Sequence, residues 1–436
     1  MSLLNALIYE YKAIFTNRVV LLVILVGSMV YGILYPMPYL NDTVTKQTLL
    51  IVDEDDSALS KELIFLVSAT PQIELVSEVD SLQSAEKLVE NFEANGVLFI
   101  PQGFESNAQM GVGSIVSYMG NASYFLVYGA IVEGIHNAID SLSTRLYLEK
   151  NANALSPAII SYEAIPLYNP SLGYINYALA AVLVFILHQT LIGGSAIISA
   201  YQNRLFTQNT QEIRAFKKQI TSDELKNLNA FKTPMPYYFA ILPLKKLICV
   251  RILAFCSIYI LWFLLYFGVL FPLFGVSIHA SVSDFWCFGL MFILSCAACG
   301  ILLGSCLNDE SLPTQVVFIS SMPLVFIMGF IWPSELLPSF LRELAYIIPA
   351  FHGIRGFISL NQMGAEFASI MPHFFMLSFL FVLCTTISFF VLNKKQERNA
   401  INWEEILHFL SQIALHNKIS AIITHFKNKK GVRDAK

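Results

Sequence analysis

Long apolar stretches alternate with polar segments along this chain. A helix crossing the hydrocarbon core of a bilayer needs about 20 apolar residues. Six stretches approach or exceed that length, at residues 19–35, 172–200, 247–271, 285–307, 312–331 and 370–392. We number these predicted transmembrane helices as spans one to six. An even number of crossings places both termini on the same side of the membrane.

The polar segment between spans one and two, residues 37–171, has a different pattern. Short apolar runs at 48–52, 96–101 and 114–118 predict strands. Ser57 and Ser81 each precede apolar residues at helical spacing, so we predict that they cap two helices. A longer helical pattern follows at 123–150. This alternation predicts a small α/β domain with helices packed on a sheet.

The basic residues predict the orientation in the membrane. The loop 201–246 between spans two and three contains eight of them: Arg204, Arg214, Lys217, Lys218, Lys226, Lys232, Lys245 and Lys246. The tail 393–436 is also rich in Lys and Arg, whereas residues 37–171 carry more acids than bases. Lys and Arg concentrate on the cytoplasmic side. We therefore predict that the N-terminal amphipathic segment 1–18, the loop and the tail are cytoplasmic, and that segment 37–171 is extracytoplasmic.

The tail also has apolar residues at helical spacing from Ile401 to Ile423, with several basic residues among them. This pattern is typical of an amphipathic helix that lies on the membrane or docks on a partner. A solvated helical hairpin with its own small core is the alternative.

Composition excludes several classes of protein. The chain is 56% hydrophobic and only 13% charged, whereas soluble domains carry about 25% charged residues. A net charge of -4 does not favour nucleic acid as a partner. All seven cysteines lie in apolar stretches, so no disulfide framework is expected. Cys296 and Cys299 have the spacing of a zinc or redox pair, but no second pair accompanies them.

No nucleotide-binding G-x-x-x-x-G-K-[ST] loop and no metal-ligand or nucleophile motif is found in the sequence. We therefore expect no catalytic residues, no bound metal and no cofactor in this chain. Energy for any transport would have to come from another subunit or from an ion gradient. The spans contain very few acidic residues, which argues against a proton-driven mechanism.

Three polar residues within the spans are candidates for function, because ionisable groups are costly there. Arg251 lies one turn inside span three, and we expect its charged end to extend to the cytoplasmic surface. His188 and Gln189 lie deeper, in span two. We expect His188 to hydrogen-bond to a neighbouring helix. The alternative is that this pair lines a substrate path.

The sequence near the C-terminus resembles a known family. The motif GFIWPSELLP at 329–338, Pro349, and IRGF at 354–357 are similar to the C-terminal signature of ABC-2-type transporter permeases. IVDEDDS at 51–57, GVLFIPQGF at 96–104 and YNP at 168–170 resemble the external domain of the large-loop branch of that family. The resemblance runs from about residue 4 to residue 395 and follows the order of the spans.

This resemblance implies an α-helical polytopic membrane protein with six transmembrane helices and a small α/β extracytoplasmic domain between helices one and two. It implies the permease subunit of an ATP-driven bacterial ABC exporter in the inner membrane. The permease would form the substrate path as a homodimer or with a paralogous permease. Separate ATPase subunits would use ATP and Mg, and a periplasmic membrane-fusion adaptor is a further partner of some relatives.

Two groups of site residues follow from the resemblance. The ATPase-coupling loop would include Gln211, Glu212, Arg214, Lys217 and Lys218, assigned by position because the family's E-x-G-T-x-E-like segment is missing here. The external gate would include Gly329, which precedes a re-entrant segment 333–369, and six residues within that segment: Pro333, Glu335, Pro338, Pro349, Arg355 and Gly356. Alternatively, the prolines only end helices and Arg355 pairs with a carboxylate or a lipid headgroup.

Two other functions remain open from the sequence. A membrane-anchored sensor would use the external domain to bind a ligand. An ion-driven secondary transporter would require a charged pathway or an inverted repeat, and neither is evident. An ATPase that accompanies the chain would separate the exporter from both.

Overall fold

The structure is a computed structural model that describes residues 1–39, 44–91, 93–120, 122, 124–150, 175–209, 212–213 and 237–400. The chain divides into two compact units. The helical unit comprises residues 1–38 and 175–436, and the α/β unit comprises residues 39–174. The predictions for the tail beyond residue 400 and for most of the loop 201–246 concern residues outside the described part.

The chain begins with two helices that meet at a sharp bend. Helix α1, Leu3–Thr16, starts at Ser2, whose side chain accepts a hydrogen bond from the backbone N–H of Asn5. Asn17 ends α1 and caps α2, Arg18–Leu34, by accepting bonds from the N–H groups of residues 19 and 20. The two helix axes differ by 80°. Asn17 thus allows the chain to bend between α1 and α2, so that α1 is not a straight continuation of the first span.

The α/β unit contains a four-stranded sheet in the order β2-β1-β3-β4. Its strands are β1 Gln47–Asp53, β2 Ile73–Glu78, β3 Gly96–Ile100 and β4 Ser117–Gly120, and only the β3–β4 pair is antiparallel. Its helices are α3 Ala58–Ser68, α4 Leu82–Glu90, α5 Phe104–Met110 and α6 Phe125–Lys150. The mixed sheet with flanking helices agrees with the predicted α/β class.

Alternation of side chains along β1 explains the layers of this unit. Leu49 and Ile51 belong to a core with α3, α5 and α6, whereas Leu50 and Val52 belong to a core with α4. A central parallel strand is buried on both faces and therefore reads as a continuous apolar run. The structure has Ser57 and Ser81 as N-caps of α3 and α4, as predicted.

Some elements of the α/β unit differ from the prediction. Strand β2 and helix α5 were not predicted, and β4 begins three residues later than the predicted strand. The Ser114 hydroxyl donates to the carbonyl of Phe104 instead of entering the sheet. Strand β2 lies at the edge of the sheet and is largely exposed, so it lacks the apolar run that identifies β1.

The longer helices that follow in the helical unit are α7 Ala180–Gln208, preceded by a π-helical turn at Ile175–Leu179, α8 Leu244–Leu273, α9 Val282–Cys306, α10 Ser311–Ile327, α11 Ser339–Tyr346, α12 Pro349–Phe357 and α13 Phe367–Ala400. Two shorter helical turns lie at Tyr238–Ile241 and Ser334–Leu336. Among the described residues, four helices are long and apolar enough to cross a membrane, namely α7, α8, α9 and α13. The bent pair of α1 and α2 would make a fifth. Helix α10 is apolar but has only 17 residues, so six spans stay a prediction.

Helix α7 is the central helix of this unit, and 94% of its most apolar 18-residue segment is buried. Two glycines of α9 allow a close approach to it. A Cβ atom at Gly300 would lie 1.9 Å from the Ser195 Oγ, and one at Gly304 would lie 2.2 Å from the Ala196 carbonyl oxygen. Small residues four apart permit such backbone contact between membrane helices.

Two helices extend beyond the predicted spans. Helix α7 continues to Gln208, eight residues past the predicted end of span two at residue 200, and α13 continues to Ala400, past residue 392. The amino-terminal part of the loop 201–246 is therefore a helical extension of span two.

Candidate functional site: a buried ion-pair network

A buried ion pair joins α1 to α8. The Arg251 Nε lies 2.8 Å from the Glu10 Oε1, and the two side chains are only 2% and 0% exposed. Glu10 lies on a buried face of α1 with Ala6 and Ile14, at helical i, i+4 spacing. The ion pair therefore fixes this helix face against the first turns of α8.

The other polar atoms of the pair also have partners. The Tyr238 hydroxyl donates to the Glu10 Oε2 at 2.6 Å and accepts a bond from the Gln202 Nε2 at 2.9 Å. The two Nη groups of Arg251 donate to the Ser199 Oγ at 3.0 Å and to the Gln202 Oε1. We call these five residues the latch. It joins α1, α7, α8 and the short turn Tyr238–Ile241.

The expectation that Arg251 extends to the surface was wrong. Extension to solvent is favourable when no partner is available in the interior. Here Glu10 neutralises the guanidinium, and Ser199 and Gln202 accept its other hydrogen bonds, so burial is tolerated. Glu10 is the only acidic residue before Asp42 in the sequence. That isolated carboxylate, on the apolar face of α1, was the signal that could have identified the partner.

Burial also affects the tyrosine of the latch. Burial, and then the nearby Glu10 carboxylate, raises the pKa of Tyr238 well above its usual value. The phenol therefore stays protonated and remains a hydrogen-bond donor to Glu10 at any physiological pH.

Further polar contacts join helix ends near the latch. The Asn203 Nδ2 donates to the carbonyl oxygens of Gly304 and Leu307 at the end of α9, at 2.9 and 3.0 Å. The Lys395 Nζ, on α13, donates to the Ser305 carbonyl at 2.6 Å. These donors satisfy carbonyl groups that a helix end leaves unpaired. We call this region, where α1, α7, α8, α9 and α13 meet, the basic end of the helical unit.

A cavity of about 870 Å³ opens beside the latch at the basic end. Its walls combine aromatic and charged side chains from α1, the α1–α2 bend, α7 and the start of α10, including Tyr9, Lys12, Arg18, Tyr201, Tyr237 and Glu310. Glu310 is paired with Arg204 at 3.0 Å. Such a mixed surface suits a protein segment that carries both apolar and polar side chains.

Of the five residues predicted for the coupling loop, only Glu212 is described. It is exposed and accepts a 2.7 Å hydrogen bond from the Tyr237 hydroxyl, and this bond raises the pKa of Tyr237. Gln211, Arg214, Lys217 and Lys218 lie outside the described residues. The Tyr237–Glu212 contact brings the two described ends of the loop together next to the cavity.

The predicted gate residues lie at the opposite end of the helical unit, and the structure brings several of them together. Gly329 adopts a φ of 85° after α10, a conformation that glycine adopts without strain. A Cβ atom there would lie 3.8 Å from the Arg355 Nη2. Arg355 donates to the Ser334 hydroxyl and lies 3.3 Å from the Glu335 Oε1. The cation also lies over the Phe351 ring.

The other predicted gate residues have clear local roles. Pro333 precedes the short 3-10 turn Ser334–Leu336, Pro338 precedes α11 and Pro349 is the first residue of α12. Gly356 faces α9, where an added Cβ would lie 2.1 Å from the Phe288 ring. The prolines therefore set helix ends, and Gly356 allows close packing. A gating role stays a prediction.

His188 and Gln189 lie on α7, and the described residues contain no partner for the expected hydrogen bond from His188 to a neighbouring helix. His188 is 2% exposed, and neither ring nitrogen has a hydrogen-bond partner in the described part of the chain. The Gln189 Nε2 is likewise without a partner there. The Phe185 ring stacks on the His188 ring, with 6.1 Å between centroids.

The long apolar helices and their close-packed glycine contacts define a multi-pass membrane protein. The sequence model of the ABC-2 family transporter proteins matches residues 18–216 and 237–390, which is most of the chain. The chain therefore belongs to the ABC-2 transporter family and is a permease of the ABC type, and membership implies an ABC ATPase subunit as its partner. A search of curated proteins gives no match.

Proposed function

We propose that this chain is the membrane-spanning permease subunit of an ATP-driven exporter in the bacterial inner membrane. Two permeases, identical or paralogous, would enclose the substrate path, and separate ATPase subunits would bind ATP and Mg. The chain itself would be a transport subunit without catalytic residues. A periplasmic adaptor would be a further partner on the side of the α/β unit.

The latch is the observation that carries this proposal. It connects Tyr238, near the carboxyl-terminal end of the loop 201–246, to α1, α7 and α8 through buried hydrogen bonds and a buried ion pair. A buried pair of this kind is costly to break by removing one partner, by about 3–5 kcal/mol. We therefore expect these bonds to stay intact when the loop moves, so that α1, α7 and α8 move with it.

The cavity beside the latch supports an ATPase-binding site at the basic end of the helical unit. Both described ends of the loop contribute to its wall or contact it, through Tyr201 and Tyr237. We propose that a segment of the ATPase occupies this cavity and contacts Lys12, Arg18 and the loop. ATP-dependent closure of the ATPases would then favour one of two arrangements of the permease helices, because the two arrangements bind the closed ATPases with different affinity.

The sensor alternative has less support. In open parallel sheets, ligands bind beyond the carboxyl ends of the strands, which here are the ends of β1 and β3. That position is filled by the chain's own Asp55, which accepts backbone hydrogen bonds from Gly103, Phe104 and Glu105 at 2.7, 3.1 and 3.0 Å. An anionic ligand would have to displace this carboxylate.

Purification of the tagged chain in mild detergent tests the proposal. We expect a nucleotide-hydrolysing subunit to co-elute. Glu212→Lys, which reverses the charge beside the cavity-lining Tyr237, should reduce the co-eluting ATPase activity severalfold. Glu133→Lys is the matched control, because Glu133 is equally an exposed carboxylate but lies in the α/β unit. Deletion of residues 208–218 should abolish the association.

Two results would contradict the proposal. If the intact chain never co-elutes with an ATPase, the exporter function is wrong. If both charge reversals have the same effect, an ATPase binds but not at the cavity.

A further inference from the structure

His188 is an unusual residue for the interior of a packed membrane helix. It lies about 20 Å along the helix from Ile175 and is 98% buried, as its 2% exposure shows. A neutral imidazole has one donor and one acceptor nitrogen, and both are without a partner in the described residues. Buried polar groups almost always have hydrogen-bond partners, so each exception requires an explanation.

The neighbouring residue has the same deficit. The Gln189 side-chain nitrogen is buried without a partner in the described residues. Thr190, in contrast, donates to the Ile186 carbonyl and accepts a bond from Ser28. Unpaired polar atoms are therefore confined to two of these three consecutive residues. The free energy that these unpaired atoms cost would be recovered when a molecule with complementary hydrogen-bonding groups binds.

Two aromatic contacts lead from His188 to the Gly329 turn. Phe185, one turn along α7 toward its start, stacks on the imidazole and also contacts Phe330, with 6.3 Å between the two phenyl centroids. Phe330 directly follows Gly329, where an added Cβ would lie 3.8 Å from the Arg355 Nη2. Phe185 and Phe330 are 6% and 3% exposed. We call them the aromatic lid.

From these observations we infer that His188 and Gln189 form the polar contact site for the transported molecule, and that the aromatic lid closes this site in the arrangement described here. The inference rests on the proposed function, because it assumes a transported cargo. The site accepts an amphipathic molecule with an apolar body and a hydroxyl or amide group. The apolar body would replace the aromatic contacts, and the polar group would bond to the imidazole.

Chemical labelling with diethyl pyrocarbonate tests whether the site opens. This reagent acylates accessible neutral imidazoles, and mass spectrometry identifies the labelled histidine. We expect His188 to be protected in the purified complex without nucleotide. During ATP hydrolysis its labelling should be about tenfold faster or more, because the rate scales with the fraction of open protein. His136, exposed on α6, should label equally in both conditions.

Two substitutions of phenylalanine refine this test. Phe330→Ala removes half of the aromatic lid and should make His188 reactive even without nucleotide. Phe326→Ala is the matched control, since Phe326 lies on the nearby helix α10 but is 51% exposed and has no place in the lid. It should leave the protection of His188 unchanged.

A stability measurement tests the unpaired state itself. His188→Leu should raise the midpoint of thermal unfolding, because it removes two unpaired polar atoms and keeps an apolar side chain. His352→Leu should lower it, because the His352 Nε2 bonds to the Tyr346 carbonyl at 2.8 Å and its Nδ1 lies 3.0 Å from the His373 Nδ1.

The inference is overturned if His188 stays protected while the complex hydrolyses ATP and His136 reacts. It is also overturned if His188 reacts at the same rate with and without nucleotide, or if His188→Leu destabilises the protein as His352→Leu does. An ATPase that never accompanies the chain would instead overturn the proposed function, and the cargo site with it.

Discussion

The two ends of the helical unit each contain an arginine paired with a glutamate, and the two pairs differ in burial. Arg251 and Glu10 are 2% and 0% exposed and 2.8 Å apart. Arg355 and Glu335 are 34% and 74% exposed and 3.3 Å apart. Water screens the second pair and weakens it, whereas breaking the first leaves an uncompensated charge in the interior. The same chemistry therefore makes one end rigid and the other easily rearranged.

This difference suits a transporter that is driven from one end. The rigid latch would carry movement of the loop into α1, α7 and α8. The exposed pair would separate at little cost when the segment that follows Gly329 moves. Variants of each pair, and of a half-buried carboxylate, test whether burial determines how much each polar contact stabilises the protein.

The largest effect is expected for Glu10→Gln. Loss of the carboxylate leaves the buried guanidinium uncompensated, which should destabilise the protein by about 3–5 kcal/mol. The midpoint of thermal unfolding in detergent measures this effect. In the double variant Glu10→Leu with Arg251→Met, both charges are removed, and much of the stability should return. A single variant as stable as the parent would show that the ion pair is not needed to hold α1.

A smaller effect is expected for Tyr238→Phe. This change removes the donor to the Glu10 Oε2 and the acceptor for Gln202. A buried polar atom left without a partner costs about 1–3 kcal/mol. Tyr237→Phe is the matched control, because the Tyr237 hydroxyl bonds to exposed Glu212 instead of the latch. If Tyr238→Phe and Tyr237→Phe lost equal stability, the buried bonds of Tyr238 would contribute no more than the exposed bond of Tyr237.

Asp55, in the α/β unit, is the carboxylate of intermediate burial. A hydrogen bond from Ser57, followed by the backbone N–H of Glu105, lowers its pKa. Asp55→Ala should cost about 0.5–2 kcal/mol, as loss of a helix cap does. Because the folded-state pKa is lowered, this contribution is present above the ordinary pKa of aspartate and is lost as the pH falls through the folded value.

Hydrogen exchange at residues 103–105 measures this effect locally in the intact chain. We expect faster exchange in Asp55→Ala at neutral pH, with the difference from the parent declining in acid. Asp56→Asn is the control, because the Asp56 carboxylate pairs with exposed Lys61 and asparagine tolerates the φ of 43° at this position. If the difference between Asp55→Ala and the parent did not decline in acid, the Asp55 carboxylate would not be the group that protects these amides.

The sequence predicted features that depend on local pattern. The apolar stretches marked the helices, and the run at 48–52 marked β1, because burial on both faces leaves a continuous apolar signal. Ser57 and Ser81 were identified as caps from their position before helical repeats. The resemblance to ABC-2-type permeases, and not spacing alone, indicated the cluster of Gly329, Glu335 and Arg355.

Features that depend on contacts between distant residues leave only weak signals in the sequence, such as the isolated Glu10 on the apolar face of α1. Glu10 and Arg251 are separated by 241 positions, and nothing local to Arg251 indicates a partner on α1. The exposed edge strand β2 has no continuous apolar run. The missing partners of His188 are a property of the packed helices, so the sequence favoured an ordinary interhelical bond.

The smallest effect is expected for Glu335→Gln, and it decides whether the exposed pair has a structural role. Arg355 would keep its bond to Ser334 and its position over Phe351, and solvent would stabilise the free guanidinium. We expect no measurable change in the midpoint of unfolding, but faster hydrogen exchange at Ser334–Leu336. Glu343→Gln, a nearby carboxylate on α11, should change neither quantity. A loss of stability like that of Glu10→Gln would show that both ends are rigid, and movement at the Gly329 turn would then need another explanation.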